Sequence, residues 1–312
     1  MLLSILIPTY NRSRALIKNI TQLIGYISIL QRWNDIEIVC ADNNSEDQCR
    51  VDLSNFFEKN KSRVTSYFHS TNIGFEKNLL FLLKNCSGEY VMLLGDDDYI
   101  SFDYLKLVLE YLNTKKYSAI FPNCYSVNDN GIRISDTRDV ISEDRILNQV
   151  EDIRFVVKAH QLSGLVFEKS GAYESYINNV KSNLYPQMYF MGFNLLRGNG
   201  LHITRFPVIN TVIEKKNFDY RYDHLFGEMA KSVDAIDLEY DKKIEFLNYV
   251  ISYNFERVYN KYTILHPYKL IYKVIYQYQV SPLFKRLIII GLLKSYPIFI
   301  KQFLKKIWSL IS

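Results

Sequence analysis

An α/β fold built round a mainly parallel sheet is what this sequence predicts, on three observations. Short, almost wholly apolar runs of strand length recur along the first 125 residues. Stretches with apolar residues three or four apart separate them. Polar clusters rich in Asp and Asn follow several of the runs. Such alternation of strand and helix gives parallel strands with helices on both faces of the sheet.

The first run, residues 2–7, reads as a buried strand stopped by a turn at Pro8. Leu16, Ile17, Ile20, Leu23, Ile24 and Ile27 then share one face of a helix, with Asn11 or Ser13 as its N-cap. A second buried strand over 36–41 runs into the polar loop 42–47, and a third strand covers about 64–69. A helix over 76–85 precedes a strand at 90–94, which leads directly into Asp96, Asp97 and Asp98. A helix over 102–112 and a strand over 119–123 continue the pattern. The turn at 128–131, Asn-Asp-Asn-Gly, predicts a hairpin between 125–127 and 132–135. Beyond it come a helix near 151–160, a strand at 164–167, a helix near 186–196 and a strand near 202–209. From about 222 the chain reads as helical.

With 312 residues, 48% of them apolar, the chain can fill one large domain or a main domain with an appendage. Its four cysteines are scattered without a CxxC pair, which argues against a disulfide framework or structural zinc and fits a reducing compartment. The apolar start lacks a basic n-region and a cleavage site, so it does not read as a secretory signal. The net charge of +5 hides an asymmetry. Residues 257–312 hold ten Lys or Arg and no Asp or Glu, leaving 28 basic against 33 acidic groups elsewhere. A mildly acidic body with a basic tail points to a polyanionic partner, either nucleic acid or an anionic lipid surface.

Ligands of open parallel sheets collect at the carboxyl ends of the strands. Residues 8–12, 42–47 and 96–98 all follow strands, and Asn72-Ile73-Gly74 closes the third strand's loop. Distant residues therefore converge on one rim. Three adjacent carboxylates resist joint ionisation unless a cation offsets them. Mg²⁺ or Mn²⁺ suits such hard oxygen donors and commonly shares them with substrate phosphates. The same aspartates would also serve as an acidic turn capping the helix at 102–112, with Ser101 as the final cap.

These residues carry a family resemblance. The segment 4–12 (Ser-Ile-Leu-Ile-Pro-Thr-Tyr-Asn-Arg), the loop 42–47, Asn72-Ile73-Gly74 and the segment 87–98 ending Leu-Leu-Gly-Asp-Asp-Asp resemble, in order, the family 2 glycosyltransferases of the GT-A fold. The last motif is similar to that of bacterial O-antigen and surface-polysaccharide sugar transferases. The resemblance covers residues 1 to about 125 and is looser over 164–210. It implies a Rossmann-like GT-A domain over 1–215, with the nucleotide-sugar donor half at 1–125 and the acceptor half at 126–215. A helical, basic region over 216–312 follows. It further implies that Pro8, Thr9, Asn11 and Asn72 line the nucleoside site, and that Asp42 accepts a hydrogen bond from the base. Asp96 and Asp97 would hold the donor, and Asp96 and Asp98 the metal, Mn²⁺ or Mg²⁺. Inverting members place an acidic base about 90 residues past the metal motif. Here residues 184–189 (Leu-Tyr-Pro-Gln-Met-Tyr) contain no carboxylate, so either the base lies elsewhere, with Asp219, Asp223 and His224 the nearest downstream candidates and His160 and His202 unassigned, or the stereochemical course differs.

The apolar stretch at 283–293 is interrupted by two cations and falls short of the about 20 residues a spanning helix needs. After Pro297, Ile300, Phe303, Leu304, Ile307, Trp308 and Ile311 share one helical face, and Lys301, Lys305 and Lys306 the other. That pattern suits a helix lying in a membrane interface, though the apolar face would equally serve as core. Tyrosines interleaved with lysines over 259–278 can stack bases, but no nucleic-acid motif accompanies them. The expected protein is a cytoplasmic transferase, peripherally attached to the inner face of the membrane. It would act on a glycan or lipid-linked glycan acceptor, as in O-antigen or capsule synthesis. The rival reading is a non-catalytic nucleotide-sugar binding or scaffold subunit; a nucleotidyl- or phosphotransferase ranks behind both.

Overall fold

Among the described residues eight strands form one sheet in the order β3-β2-β1-β4-β7-β5-β8-β6, as seen in a computed structural model of the chain. The structure describes residues 1–140, 143–212 and 222–253, and within the tail 276, 280–282, 284–291, 293, 294 and 297. The strands are β1 (Leu3–Thr9), β2 (Ile36–Asp42), β3 (Val64–Phe68), β4 (Tyr90–Leu93), β5 (Tyr117–Asn128), β6 (Arg145–Leu147), β7 (Val166–Glu168) and β8 (Asn199–Val212). The helices are α1 (Ser13–Leu30), α2 (Asp47–Lys59), α3 (Phe75–Asn85), α4 (Phe102–Asn113), α5 (Ala172–Asn179), α6 (Pro186–Arg197), α7 (Tyr222–Ala235) and α8 (Tyr240–Tyr253).

β1 is parallel to β2 and β4, β2 to β3, and β5 to β8, whereas β7 runs antiparallel between β4 and β5. Every residue of β1 is buried, because helices cover both faces of the sheet, and this is why the strand reads as an unbroken apolar run. α1, α2 and α4 fill one layer through residues such as Ile20, Leu53 and Val108. α3 and α5 to α8 fill the other, where Val280, Phe284 and Ile288 join the same core. The chain leaves β1 for β2 and β3 on one side and returns to β4 on the other. The topological switch therefore lies at the carboxyl ends of β1 and β4, where an open sheet leaves a crevice.

Several expected elements are redrawn. Pro8 lies inside β1, paired with Ala41, rather than ending it. The Leu6 carbonyl accepts from Leu94 N at 3.1 Å, so Pro8, two residues on, faces the side where β4 has already stopped and no donor is needed. The N-cap of α1 is Arg12, and neither Asn11 nor Ser13 caps it. The turn at 128–131 forms, with Gly131 at φ +75, but its return arm makes a single bridge from Arg133 to Val127 and is not a strand. The helix expected near 151–160 is a 3-10 helix, Ile153–His160. β8 is longer than expected and bulged: from Pro122 to Cys124 its partner advances from Ile203 to Val208. That bulge, with Phe206 at φ +55, bends the strand so that its end reaches the rim at Asp98.

Candidate active site

Thr9 ends β1, and its hydroxyl donates to Asp96 Oδ2 at 2.8 Å across the switch point. Arg12, three residues further, places Nη1 3.0 Å from Asp96 Oδ1 and 2.6 Å from Asp97 Oδ2. Asp98 turns the other way. Its Oδ2 accepts from Ser163 Oγ at 2.5 Å and its Oδ1 from the Thr211 amide at 2.8 Å. Thr211 Oγ1 also donates to the Asp97 carbonyl at 2.5 Å, and Asn19 Nδ2 to the carbonyls of Gly95 and Asp98. The three aspartates thus sit at a junction. Two face Arg12 and β1, and the third ties the rim to β8 and to the loop before β7. Ser101 does cap α4, accepting from Tyr104 N at 3.0 Å.

Burial pushes the Asp96 carboxyl up to about 6 against the pull of Arg12, and Asp97 adds to the rise. Burial, then the neighbouring Asp97, pushes Asp98 up to about 7 despite the Ser163 and Thr211 bonds. One guanidinium against three crowded carboxylates leaves charge uncompensated, and the donors are hard oxygens. Each oxygen of Asp98 accepts a single bond and keeps acceptor capacity. This donor set fits a divalent cation bound by one or two carboxylates and completed by phosphates. Among the described residues no three His, Cys, Asp or Glu side chains close round one point by themselves.

The second cluster stands beside the first. Asn11, at φ +55, donates its amide to Ser45 Oγ at 2.8 Å and accepts from Glu46 N at 2.7 Å. Asp42 is fully buried, and its carboxylate accepts from the Ser45 amide at 3.1 Å and from the Ser45 hydroxyl. Asn43 N donates to the Thr9 carbonyl at 2.9 Å, and Asn43 Nδ2 to Asn72 Oδ1 at 2.9 Å. Asn72 Oδ1 also takes the Gly74 amide, where φ is +83. Pro8, Thr9, Asn11, Asp42, Asn72 and the aspartates therefore occupy one continuous hydrogen-bonded rim. Arg12, Asn19, Ser45, Ser163 and Thr211 complete it. The last two arrive from distant segments without a local signature.

Asp223 and His224 stand in the first turn of α7, with side chains outside the described residues, as is Asp219. Gln187 is buried at the start of α6 and donates to the His160 carbonyl at 3.2 Å. His160 Nδ1 bonds the Val157 carbonyl, and His202 is buried against Asp139. Carboxylates do reach the loop before α6, but for its backbone: Glu76 accepts from Asn183 N and Glu228 from Leu184 N, each at 2.9 Å.

Known proteins resemble this chain in sequence and in fold. The family model described as Glycosyl transferase family 2 matches residues 4–173, more than half of the chain. Abequosyltransferase RfbV of Salmonella typhimurium is 30% identical over 116 residues, 37% of this chain and 34% of that protein. A GalNAc(5)-diNAcBac-PP-undecaprenol beta-1,3-glucosyltransferase of Campylobacter jejuni is 32% identical over 124 residues, 39% of this chain and 38% of that protein. The chain thus spans little more than a third of the length of these curated relatives. The crystal structure of S. aureus TarS 1–349 in complex with UDP-GlcNAc superposes with a TM-score of 0.64 at 18% identity, covering 98% of this chain and 92% of that one. The GT-A architecture is therefore common to both.

Proposed function

Because the chain belongs to glycosyl transferase family 2, we propose that it moves a sugar from a nucleotide-sugar donor to a polysaccharide or lipid-linked oligosaccharide in bacterial surface-glycan synthesis, O-antigen or capsule. The observation that carries this reading is the Thr9–Asp96–Arg12–Asp97 junction at the β1/β4 switch point. The activities for which the Salmonella and Campylobacter relatives are named, both sugar transfers, support it.

In this reading residues 1–125 bind the donor and 126–215 the acceptor, with 216–312 as a helical appendage. The rim from Pro8 to Asn11, with Asp42 and Asn72, receives the nucleoside. Asp96 and Asp97 receive the ribose and diphosphate. Asp96 and Asp98 would hold Mn²⁺ or Mg²⁺, which when bound supplies Lewis-acid stabilisation of the charge on the departing diphosphate. Asp98, through Ser163 and the Thr211 amide, keeps the donor half in register with the acceptor side. The acceptor hydroxyl must lose a proton as it attacks the anomeric carbon, and Asp223 or His224 of α7 takes it. Thermal-shift screening with Mn²⁺ and UDP-, GDP-, CDP- and dTDP-sugars is expected to select one nucleotide class. The selected donor should then release its nucleoside diphosphate on membrane extract. Absence of both effects across the panel would overturn the reading.

Attachment to the inner face of the membrane is proposed for the basic end. No helix among the described residues is long and apolar enough to cross a bilayer. The amphipathic stretch after Pro297 lies outside the described residues. Three lysines on its polar face would contribute roughly 1 kcal/mol each at an anionic surface. Deleting residues 298–312 is expected to shift the protein from the membrane pellet to the supernatant; unchanged partitioning refutes the attachment.

A further inference from the structure

We infer that Arg12 and the divalent cation compete for the Asp96 carboxylate, and that the guanidinium so released binds the donor's diphosphate. The inference rests on the donor-site reading above. Both carboxylate contacts of Arg12 converge on one nitrogen, Nη1, at 3.0 and 2.6 Å. A guanidinium gripping a carboxylate by two parallel N–H bonds is hard to displace, whereas one nitrogen shared between two carboxylates holds neither in that way. The side chain is also the exposed partner, at 32% against 9% and 13% for Asp96 and Asp97.

The backbone of Arg12 stays put while its side chain moves. It is the N-cap of α1, and its carbonyl accepts from Leu16 N at 3.0 Å. The N-cap residue makes no side-chain cap bond to α1, and the first turn of the helix holds no acidic residue. The positive end of an 18-residue helix therefore adds to the guanidinium in attracting an anion at this rim. A cation placed on the Asp96 carboxylate would repel a guanidinium 3.0 Å from the same oxygen. The diphosphate brought by the donor gives the displaced Arg12 a planar, two-point partner. Arg12 thereby couples cation arrival to donor capture.

The test titrates Mn²⁺ alone, by calorimetry, into the full chain as wild type, Arg12→Gln and Arg12→Lys. The nucleoside diphosphate selected by the screen is then titrated at saturating Mn²⁺. Arg12→Gln is expected to bind Mn²⁺ about tenfold more tightly and the nucleoside diphosphate about tenfold more weakly, within the usual range of coupling between sites. Opposite signs in the two titrations are what loss of structure would not produce. Arg12→Lys, which keeps the charge without the planar fork, should match wild type for Mn²⁺ and bind the nucleoside diphosphate more weakly. Its nucleotide titration decides the question if the glutamine variant fails to fold. Equal or weaker Mn²⁺ binding by folded Arg12→Gln overturns the competition. Unchanged nucleotide affinity in both variants overturns the transfer to the diphosphate. Wild type that binds Mn²⁺ but no nucleotide would instead overturn the donor-site reading, leaving the Mn²⁺ titration to judge Arg12.

Discussion

An Asp96→Ala/Asp98→Ala double variant is expected to lose sugar transfer by a factor of about 10³ or more, the size of effect seen when charge stabilisation at a leaving group is removed. The alanines also strip partners from Thr9, Arg12, Ser163 and the Thr211 amide, so an Asp96→Asn/Asp98→Asn pair serves as the folded control. Asparagine keeps an acceptor oxygen at each site but not the charge. Both pairs should fail to release nucleoside diphosphate, while the asparagine pair unfolds near the wild-type temperature. Retained turnover in either would sink the assignment. A pH dependence follows from the same carboxyls. Their folded pKa values, about 6 and about 7, lie above the about 3.9 of an unfolded Asp. Their contribution to stability is therefore greatest below pH about 4 and is lost as pH rises through 6 to 7. Mn²⁺ must displace those protons in acid, so the thermal shift it produces should grow from pH 5.5 to 7.5. A shift that is flat over that range would count against these ligands.

The first 125 residues were legible because their strands are buried on both faces and their polar residues cluster directly after them. Leu3–Thr9, Ile36–Asp42 and Tyr90–Leu93 leave little choice of conformation, and Asp96 to Asp98 follow at once. α2 and α5 were missed for a physical reason. α2 buries Leu53 and Phe57, and α5 buries Ala172 and Tyr176, a single i,i+4 pair each, too thin a stripe to read as a helix. The partners of Asp98 were illegible for another reason. Ser163 and Thr211 lie 65 and 113 positions away, and the Thr211 contact uses a backbone amide that any residue but proline would supply. Arg12 was visible in the first motif, but its role depends on two carboxylates more than 80 positions away, which no local pattern encodes.

Asp139→Ala is expected to destabilise the fold by about 3–5 kcal/mol, the cost of removing one member of a buried ionic cluster. Asp139 accepts from Lys158 Nζ, from Arg138 Nε at 3.1 Å and from His202 Nε2 at 3.1 Å. Its amide donates to Asn123 Oδ1 at 3.0 Å, so one residue joins β5, β8 and the 3-10 helix. Burial lowers the His202 pKa ahead of the opposing bond from Asp139, which keeps the ring neutral with its proton on Nε2. The charges that matter are thus Lys158 and Arg138. Burial resists ionisation of Asp139, but the His202 and Lys158 bonds outweigh it and hold the carboxyl far below its ordinary range. Because that folded pKa is depressed, the stabilisation is complete above pH about 4 and disappears as pH falls further. His202 adds a second loss below pH about 6.5, where the unfolded ring takes a proton that the folded ring refuses. Urea unfolding from pH 3 to 7 should therefore show a steep acid limb in the wild type and a flatter one in Asp139→Asn. An Asp139→Asn/Lys158→Met pair should recover part of the lost stability, since it removes the stranded charge as well as its partner. Equal stability of Asp139→Ala and the wild type at pH 7 would refute the cluster's role. The chain runs on from Lys158 through Gln161, which accepts from Arg138, to Ser163 on Asp98. Loosening this cluster should accordingly weaken donor binding in variants that still fold, although Asp139 touches none of the rim residues proposed to receive the donor.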